Sequence, residues 1–252
     1  MPESSEPKLS LIRGLSQWWA DHRSHNGFFA SLGGLAKETW QFLRDSAPAR
    51  RRQRYGDVDF DWDHRVDTTS ATVSWRTRFL GLLHSPYQPT DPALFHEMLH
   101  SLDINYREFI FIDLGSGKGR VLMMASDYPF RRILGLELLP ELSRVAQENL
   151  RNYRNEAQKC FAVESRCGDA RDFLFPSEPT VLYLFNPLPE PGLRQVIANL
   201  ARSLTQSPRP VYVLYHNPQM EPLLAGCRLL RKIGGSHQYS VFKNVPEETV
   251  SN

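Results

Sequence analysis

A carboxylate followed by three glycines at alternate positions lies at residues 113–119, which read Asp-Leu-Gly-Ser-Gly-Lys-Gly. An apolar run precedes this stretch, and a second apolar stretch that suits a helix follows it. Glycines let the backbone turn sharply and approach a ligand where a Cβ atom would collide. The pattern is therefore typical of the strand, tight turn and helix that bind a nucleotide in α/β folds.

The spacing of the glycines distinguishes between classes of ligand. A dinucleotide fingerprint requires G-x-G-x-x-G, but Arg120 occupies the third required position after Gly115 and Gly117. A phosphate loop for nucleoside triphosphates requires G-x-x-x-x-G-K-[ST], and this stretch does not match it. The order is instead D-x-G-x-G-x-G, from Asp113 to Gly119. An NAD(P)-dependent oxidoreductase is an alternative that the position of Arg120 disfavours.

Composition excludes several classes of protein. With 252 residues the chain can form one large α/β domain or a domain with an appendage. A net charge of +2 indicates no strong global attraction to nucleic acid or to an anionic membrane. Three widely spaced cysteines without a C-x-x-C pair argue against a disulfide scaffold and a structural zinc site. No secretory signal is visible and no apolar stretch reaches the ~20 residues that span a bilayer, so we expect a cytoplasmic protein.

The elements that would position the glycines alternate between strand and helix downstream of about residue 85. Pattern and turn residues predict strands at 108–113, 132–137, 160–165, 181–185 and 211–215. They predict helices that begin after Asp91, after the glycines and at Pro140, and a fourth over 193–204. Two closing strands, 228–233 and 239–243, would be joined through Gly234 and Gly235. We expect this domain to cover 85–246 and to be followed by a disordered tail at 247–252.

Residues 1–84 have a different composition and are predicted to form an N-terminal helical extension, with Trp18 and Trp19 on one helical stripe and an arginine cluster at 50–54. Aspartates alternate strictly with apolar residues over 57–63. This alternation predicts an extended segment with one acidic, solvated face and one docked apolar face. Alternatively, the four carboxylates could bind a divalent cation together with His64.

The glycine motif resembles the first motif of the class I, seven-stranded S-adenosylmethionine-dependent methyltransferases. The resemblance covers about residues 86–244. It implies the cofactor S-adenosyl-L-methionine and an α/β, Rossmann-like, mostly parallel sheet with the strand order 3-2-1-4-5-7-6. The stretch from Pro86 to Thr90 is similar to a loop of the disruptor-of-silencing-type protein-lysine methyltransferases. Together with Asp-Trp-Asp-His-Arg at 61–65, the chain also resembles a group of uncharacterised bacterial methyltransferases.

This resemblance implies roles for the residues of the glycine motif. Asp113 would orient the loop and the amino-acid end of the cofactor. The loop itself would pass under the methionine moiety, and its residues in this role are Gly115, Ser116, Gly117 and Gly119.

Three further residues would hold the nucleoside. Glu137, at the end of the second strand, would accept hydrogen bonds from both ribose hydroxyls. Asp169 and Ala170, after the third strand, look like the pair that contacts adenine in this family. The alternatives are an ordinary charged strand end for Glu137 and an ordinary Gly-Asp turn for Asp169.

The chemistry would take place at the carboxyl ends of the fourth and fifth strands. Asn186-Pro187-Leu188 partly resembles the Asn-Pro-Pro-aromatic motif of methyltransferases that modify exocyclic or amide nitrogens, in which the Asn holds the amine. Leu188 departs from that motif and disfavours a nucleic-acid base as the acceptor. Pro187 would keep Asn186 extended and aim its carboxamide at a fixed point. The alternative is that Asn186 only forms a turn.

His216 ends the fifth strand and could take a proton from the acceptor, although a histidine that is merely hydrogen-bonded at a strand end is the alternative. Asn186 stands where a metal-dependent subclass would have acidic ligands, so we expect no catalytic metal. The sequence thus predicts a methyltransferase whose unidentified acceptor is a protein or a small molecule rather than a nucleic acid. A non-catalytic cofactor-binding module that contacts a membrane surface through the N-terminal helices is a further alternative.

Overall fold

The computed structural model describes residues 58–69, 88–186 and 188–245. The predicted helices of the N-terminal extension, the arginine cluster, the proposed domain boundary near residue 85, Pro187 and the tail at 247–252 lie outside the described residues. Within the described ranges, each helix is too short or too polar to cross a bilayer.

Seven strands of the described residues form one sheet in the order β3-β2-β1-β4-β5-β7-β6, so that β3 and β6 are the outermost strands. Pairing is parallel from β3 to β5, whereas β7 runs antiparallel to both β5 and β6. This confirms the predicted fold class and strand order. The strands are β1 (Ile110–Leu114), β2 (Ile133–Glu137), β3 (Val163–Cys167), β4 (Thr180–Phe185), β5 (Val211–His216), β6 (Leu230–Gly235) and β7 (Tyr239–Asn244).

Helices cover both faces of the sheet. They are α1 (Val58–His64), α2 (Pro92–His100), α3 (Arg120–Ala125), α4 (Pro140–Asn152), α5 (Glu190–Gln206) and α6 (Glu221–Ala225), with short 3-10 helices at Tyr106–Glu108 and Ala170–Asp172. The predicted strands and helices of the 85–246 region are present, with ends shifted by up to three residues, and α6 was not predicted.

Two apolar cores lie on opposite sides of the sheet. In β1, Phe111 packs with Phe95 of α2 on one side, while Ile110 and Ile112 pack with Leu193 of α5 on the other. Successive side chains of a strand point to opposite faces. A strand that is buried on both faces therefore reads as a nearly continuous apolar run in the sequence, as β1 and β4 do.

The start of α2 illustrates how local sequence sets the element ends. Asp91 is the N-cap, and its side chain accepts a hydrogen bond of 2.9 Å from the backbone N–H of Leu94. Pro92 occupies the first turn, where its missing N–H costs nothing. This confirms the predicted helix start, just before the cleft described below.

The prediction of an extended segment over 57–63 was wrong, because residues 58–64 form the helix α1. The rings of Phe60 and His64, one helical turn apart, stack at 4.4 Å, and His64 in turn stacks on Tyr153 of α4 at 5.2 Å. Trp62, expected on the docked face, is 83% exposed. The ring contact between Phe60 and His64, four residues apart, thus favours a helix over the extended conformation that the alternating pattern predicts.

Candidate functional site

A cleft opens at the carboxyl ends of β1, β2 and β4, where ligands bind in open α/β sheets. Of the ten residues predicted to form the site, Gly119 and His216 do not line the cleft. The eight that do are Asp113, Gly115, Ser116, Gly117, Glu137, Asp169, Ala170 and Asn186. The structure therefore brings together residues that are far apart in the sequence.

The backbone conformation of the glycine turn, residues 113–119, favours glycine at positions 115, 117 and 119. Gly115, Gly117 and Gly119 have φ angles of 87°, 54° and 84°, in the left-handed region that other residues rarely adopt. At Gly119 a Cβ atom would also lie 3.2 Å from the Cβ of Ala146, so glycine lets α3 pack closely against α4. The turn thus curls tightly at the edge of the cleft.

Glu137 joins the glycine turn to the start of α4. Its Oε2 accepts a hydrogen bond of 2.8 Å from the backbone N–H of Gly117, and its Oε1 accepts one of 2.8 Å from Leu139. Burial raises the pKa of Glu137, and the backbone donors partly oppose that shift. The carboxylate is therefore fixed in position while it lines the cleft.

Two buried polar groups in the cleft lack partners within the described residues. Asp113 is 2% exposed, and burial, followed by the charge of Glu137, raises the pKa of its carboxyl group well above the usual value. No donor of the described residues forms a hydrogen bond with that carboxyl group. The buried hydroxyl of Ser116 likewise has no hydrogen-bond partner there. Because buried polar groups are normally paired, both are suited to a polar ligand.

Asp169 and Ala170 form the far side of the cleft. The Asp169 side chain caps the short 3-10 helix by accepting from the backbone N–H of Arg171 at 2.9 Å. It also pairs with the Arg171 guanidinium, at 2.6 Å from Nη2. These contacts hold the Asp169 carboxylate next to buried Ala170. Contact with adenine stays a prediction.

The prediction that Pro187 keeps Asn186 extended was wrong, since Asn186 has a φ of 42°. Asparagine tolerates the left-handed conformation better than most residues. Its carboxamide is held at both ends: Oδ1 accepts from the Tyr215 hydroxyl at 2.8 Å, and Nδ2 donates to the backbone carbonyl of Asn217 at 2.7 Å. These two contacts outweigh the usual preference of a residue before proline.

His216 lies behind the cleft wall. Its ring stacks on that of Phe185 at 3.9 Å, and its Nδ1 is 2.7 Å from the Tyr183 hydroxyl, which is 2.9 Å from the Thr90 hydroxyl. Burial lowers the pKa of His216 to about 4, so the ring is neutral at pH 7. The Thr90 hydroxyl, the Tyr183 hydroxyl and His216 Nδ1 form a chain of two hydrogen bonds, in which donation can run in either direction according to the tautomer of the neutral ring. A role in proton transfer stays a prediction.

Sequence reasoning missed several residues of the cleft. Asn217 and Gln219 line it next to Asn186, and Asn217 has a φ of 48°. The signal was a second Asn-Pro pair at the end of β5, beside the Asn-Pro pair at the end of β4. Tyr183 also lines the cleft, but it lies inside a buried apolar strand where sequence alone suggests only packing.

The alternative of a cation site at 57–64 finds no support among the described residues, where no group of three or more histidine, cysteine, aspartate or glutamate side chains could hold a metal ion. Asp61 instead accepts hydrogen bonds from the backbone N–H groups of Thr68 and Thr69 at 2.7 and 2.9 Å. Asp57 lies outside the described residues.

The strand order and the glycine turn at the cleft are those of the class I methyltransferase fold. Within that class, the family model described as "Histone methylation protein DOT1" matches residues 84–169, and the chain resembles that family over this part. The matched residues include the glycine turn, Glu137 and Asp169. No curated protein matches the sequence.

The chain is similar to several solved structures, each with a TM-score below 0.5. An RNA methyltransferase from Salinibacter ruber, solved in complex with S-adenosyl-L-homocysteine, is 24% identical over 64% of this chain and 97% of its own, with a TM-score of 0.42. Precorrin-6y C5,15-methyltransferase from Geobacter metallireducens is 16% identical over 62% of this chain and 89% of its own, with a TM-score of 0.46. TrmN from Thermus thermophilus is 18% identical over 61% of this chain and 49% of its own, with a TM-score of 0.43.

Proposed function

We propose that the protein is an S-adenosylmethionine-dependent methyltransferase that transfers the methyl group to a nitrogen atom. The observation that carries the proposal is the glycine turn, with buried Asp113 and Ser116 facing the cleft without partners among the described residues. A zwitterionic amino-acid group suits this pair, because its ammonium can donate to Asp113 and its carboxylate can accept from the Ser116 hydroxyl. A nearby ammonium would also favour the ionised form of Asp113.

The other cleft residues would hold the nucleoside. Each Glu137 oxygen accepts one backbone N–H and keeps a lone pair that can accept from a ribose hydroxyl. Asp169 and Ala170 would contact the adenine ring. The cofactor supplies an activated methyl group on a sulfonium, and the protein contributes by excluding water and holding the acceptor in line.

Asn186 would orient the acceptor. Its two contacts leave one N–H and one lone pair of the carboxamide unused, so it can both donate to and accept from a neutral amine or amide. The description of the matched family names histone methylation, which makes a protein nitrogen the first acceptor to test. A small-molecule amine is the second.

Isothermal titration calorimetry tests the cofactor. We expect the protein to bind S-adenosylhomocysteine and to bind NAD(H) and NADP(H) weakly or not at all. Tight binding of a nicotinamide dinucleotide, and none of S-adenosylhomocysteine, would overturn the proposal.

Incubation of cell extract with the protein and deuteromethyl-labelled cofactor, followed by mass spectrometry, tests transfer and finds the acceptor. We expect labelled products that a Gly117→Val variant does not form. Cofactor binding without any labelled product would instead indicate a binding module that has kept the fold.

A further inference from the structure

Lys118 and Arg120, on either side of the last glycine of the turn, both contact the N-terminal part of the described chain. Lys118 is 2% exposed, and its Nζ lies 2.8 Å from the Asp67 carboxylate and 2.8 Å from the backbone carbonyl of Thr69. A buried ammonium needs such partners, because an unpaired buried charge is costly. The conformation of the turn at Lys118 is therefore tied to segment 58–69, which comprises α1 and the five residues after it.

Arg120 makes a second connection to the same segment. It is 2% exposed and lines the cleft, and its Nε donates to the Thr68 hydroxyl at 2.6 Å. Its Nη2 lies 3.3 Å from the Asp61 carboxylate, and the guanidinium carbon is 4.6 Å from the centre of the Phe60 ring. One side chain thus joins the cleft wall to the inner face of α1.

Asp61 holds segment 58–69 in the shape that these contacts need. Besides the two backbone N–H groups of Thr68 and Thr69, it accepts from the Thr68 hydroxyl, so that hydroxyl is fixed to receive Arg120. The Asp61 side chain is 11% exposed, whereas that of Asp67 is 44% exposed. Because solvent weakens exposed ion pairs, the ion pair of Asp61 with Arg120 is less screened than that of Asp67 with Lys118.

Asn149 of α4 completes the connection from the opposite side. Its Oδ1 accepts from the backbone N–H of Asp67 at 2.9 Å, and its Nδ2 donates to the carbonyls of Asp67 and Lys118 at 2.8 and 2.9 Å. One buried carboxamide thus contacts both segment 58–69 and the glycine turn. The three parts are joined by hydrogen bonds that span 31 to 82 residues of sequence.

We propose that segment 58–69 fixes the shape of the cofactor site from outside the cleft, with Asp61, Asp67 and Asn149 acting as positioning residues for the glycine turn. A turn rich in glycine has more conformational freedom than other segments, so its bound shape must be fixed from outside. Removal of the segment would leave two buried cations without the carboxylates described here. This inference rests on the proposed function only in taking the cofactor as the ligand of the turn.

The coupling must be reciprocal. If docking of segment 58–69 favours the turn conformation that binds the cofactor, then the bound cofactor stabilises docking of the segment by the same factor. Ligand binding at the turn should therefore slow hydrogen exchange in a segment that precedes it by about 50 residues.

The central experiment compares Asp61→Asn with Asp63→Asn in the full chain. Asp63 lies on the same helix and is exposed, so it is a matched control for the loss of one negative charge. We expect Asp61→Asn to weaken S-adenosylhomocysteine binding about tenfold in calorimetry, the effect of one hydrogen bond to a charged group, and Asp63→Asn to change it less than about twofold. Equal affinities in the two variants would overturn the proposal.

Hydrogen exchange separates positioning from general stability. Without ligand, Asp61→Asn should speed exchange in residues 115–120. Leu200→Ala, on the core-facing side of α5, should lower the melting temperature without speeding that exchange. Unchanged exchange at 115–120 in Asp61→Asn, with only a lowered melting temperature, would overturn the proposal. This readout needs no ligand, so it decides the matter even if the wild-type protein fails to bind S-adenosylhomocysteine and the proposed function falls.

The reciprocal effect is measured on the wild-type protein. Adding S-adenosylhomocysteine should slow exchange in residues 58–69 and leave β6, on the outer edge of the sheet, unchanged. Binding in calorimetry without any slowing at 58–69 would contradict the coupling.

Discussion

Replacement of Glu137 by glutamine tests whether this carboxylate both shapes the glycine turn and holds the cofactor. The two side chains have nearly the same size, so the cleft keeps its volume. Glutamine can still accept from one of the two backbone N–H groups, those of Gly117 and Leu139, but it presents an NH₂ group to the other. One charge-assisted hydrogen bond is lost and one backbone donor is left without its acceptor.

The expected loss of stability follows from these contacts. A hydrogen bond to a charged group contributes about 1.5–3 kcal/mol, and an unpaired buried donor costs about 1–3 kcal/mol. The burial that raises the pKa of Glu137 opposes this loss, because a neutral amide avoids the cost of a buried charge. We expect a net fall of about 1–3 kcal/mol in the free energy of unfolding, or about 2–12 °C in melting temperature for a domain of this size.

The expected loss of affinity is separate. If both ribose hydroxyls donate to Glu137, the variant should bind S-adenosylhomocysteine about 10- to 100-fold more weakly, which corresponds to about 1.5–3 kcal/mol. Calorimetry with the 2′-deoxy analogue sharpens the test, because the wild-type protein should discriminate against the analogue and the variant should do so much less. Glu164→Gln, an exposed position on β3, is the control for the loss of a carboxylate.

Two results would refute this reasoning. An unchanged dissociation constant with a lowered melting temperature would mean that Glu137 only supports the glycine turn and that the ribose is held elsewhere. Equal discrimination against the 2′-deoxy analogue by wild type and variant would lead to the same conclusion.

Three further changes have expected outcomes. Gly117→Val should abolish S-adenosylhomocysteine binding in calorimetry, because a β-branched residue avoids the φ of 54° and its side chain would enter the cofactor's path; normal affinity would contradict this. Asn186→Ala should reduce methyl transfer to the acceptor found by deuteromethyl labelling more than it reduces cofactor affinity; normal transfer with lowered stability would leave only a turn-forming role. Stability should fall as the pH drops from about 6.5 toward 4, because the unfolded state, with a His216 pKa of 6.5, takes up the proton before the folded state does at about 4. The expected loss at pH 5 is about 1–2 kcal/mol in denaturant titrations, and His216→Gln should lose that part of the pH dependence.

The parts of the fold that follow from short-range pattern were predictable. The strand β1, the glycine turn and the helix after it occupy one continuous stretch of sequence. Three alternate glycines between two apolar runs indicate a tight turn between a strand and a helix. The strand order came from the resemblance to a family, since periodicity does not specify which strands are neighbours. Strand β3 begins at Val163 instead of residue 160, although Cys160 is buried and Phe161 is 78% exposed, an alternation that in the sequence resembles the start of a strand.

Errors in the candidate site arose where side-chain contacts decide the local conformation. The carboxamide contacts of Asn186 with Tyr215 and Asn217 come from a neighbouring strand, so a rule about the residue before proline could not anticipate them. The pairing of Lys118 with Asp67 joins residues 51 positions apart, and each looks like an ordinary surface charge in the sequence. Hydrogen bonds over such distances depend on the completed fold.

The two outermost strands of the sheet have a consequence for association between molecules. On β3, exposed Glu164 and Arg166 form an ion pair, and on β6, Lys232 pairs with Glu221 of α6. The register of β6 with β7 shifts between Lys232 and Gly234, which interrupts the row of backbone groups at that edge. A second molecule that added a strand to either edge would have to desolvate charges or meet an irregular ladder. Parallel strands that pair across long stretches of sequence form slowly, and edges of this kind discourage aggregation during that interval.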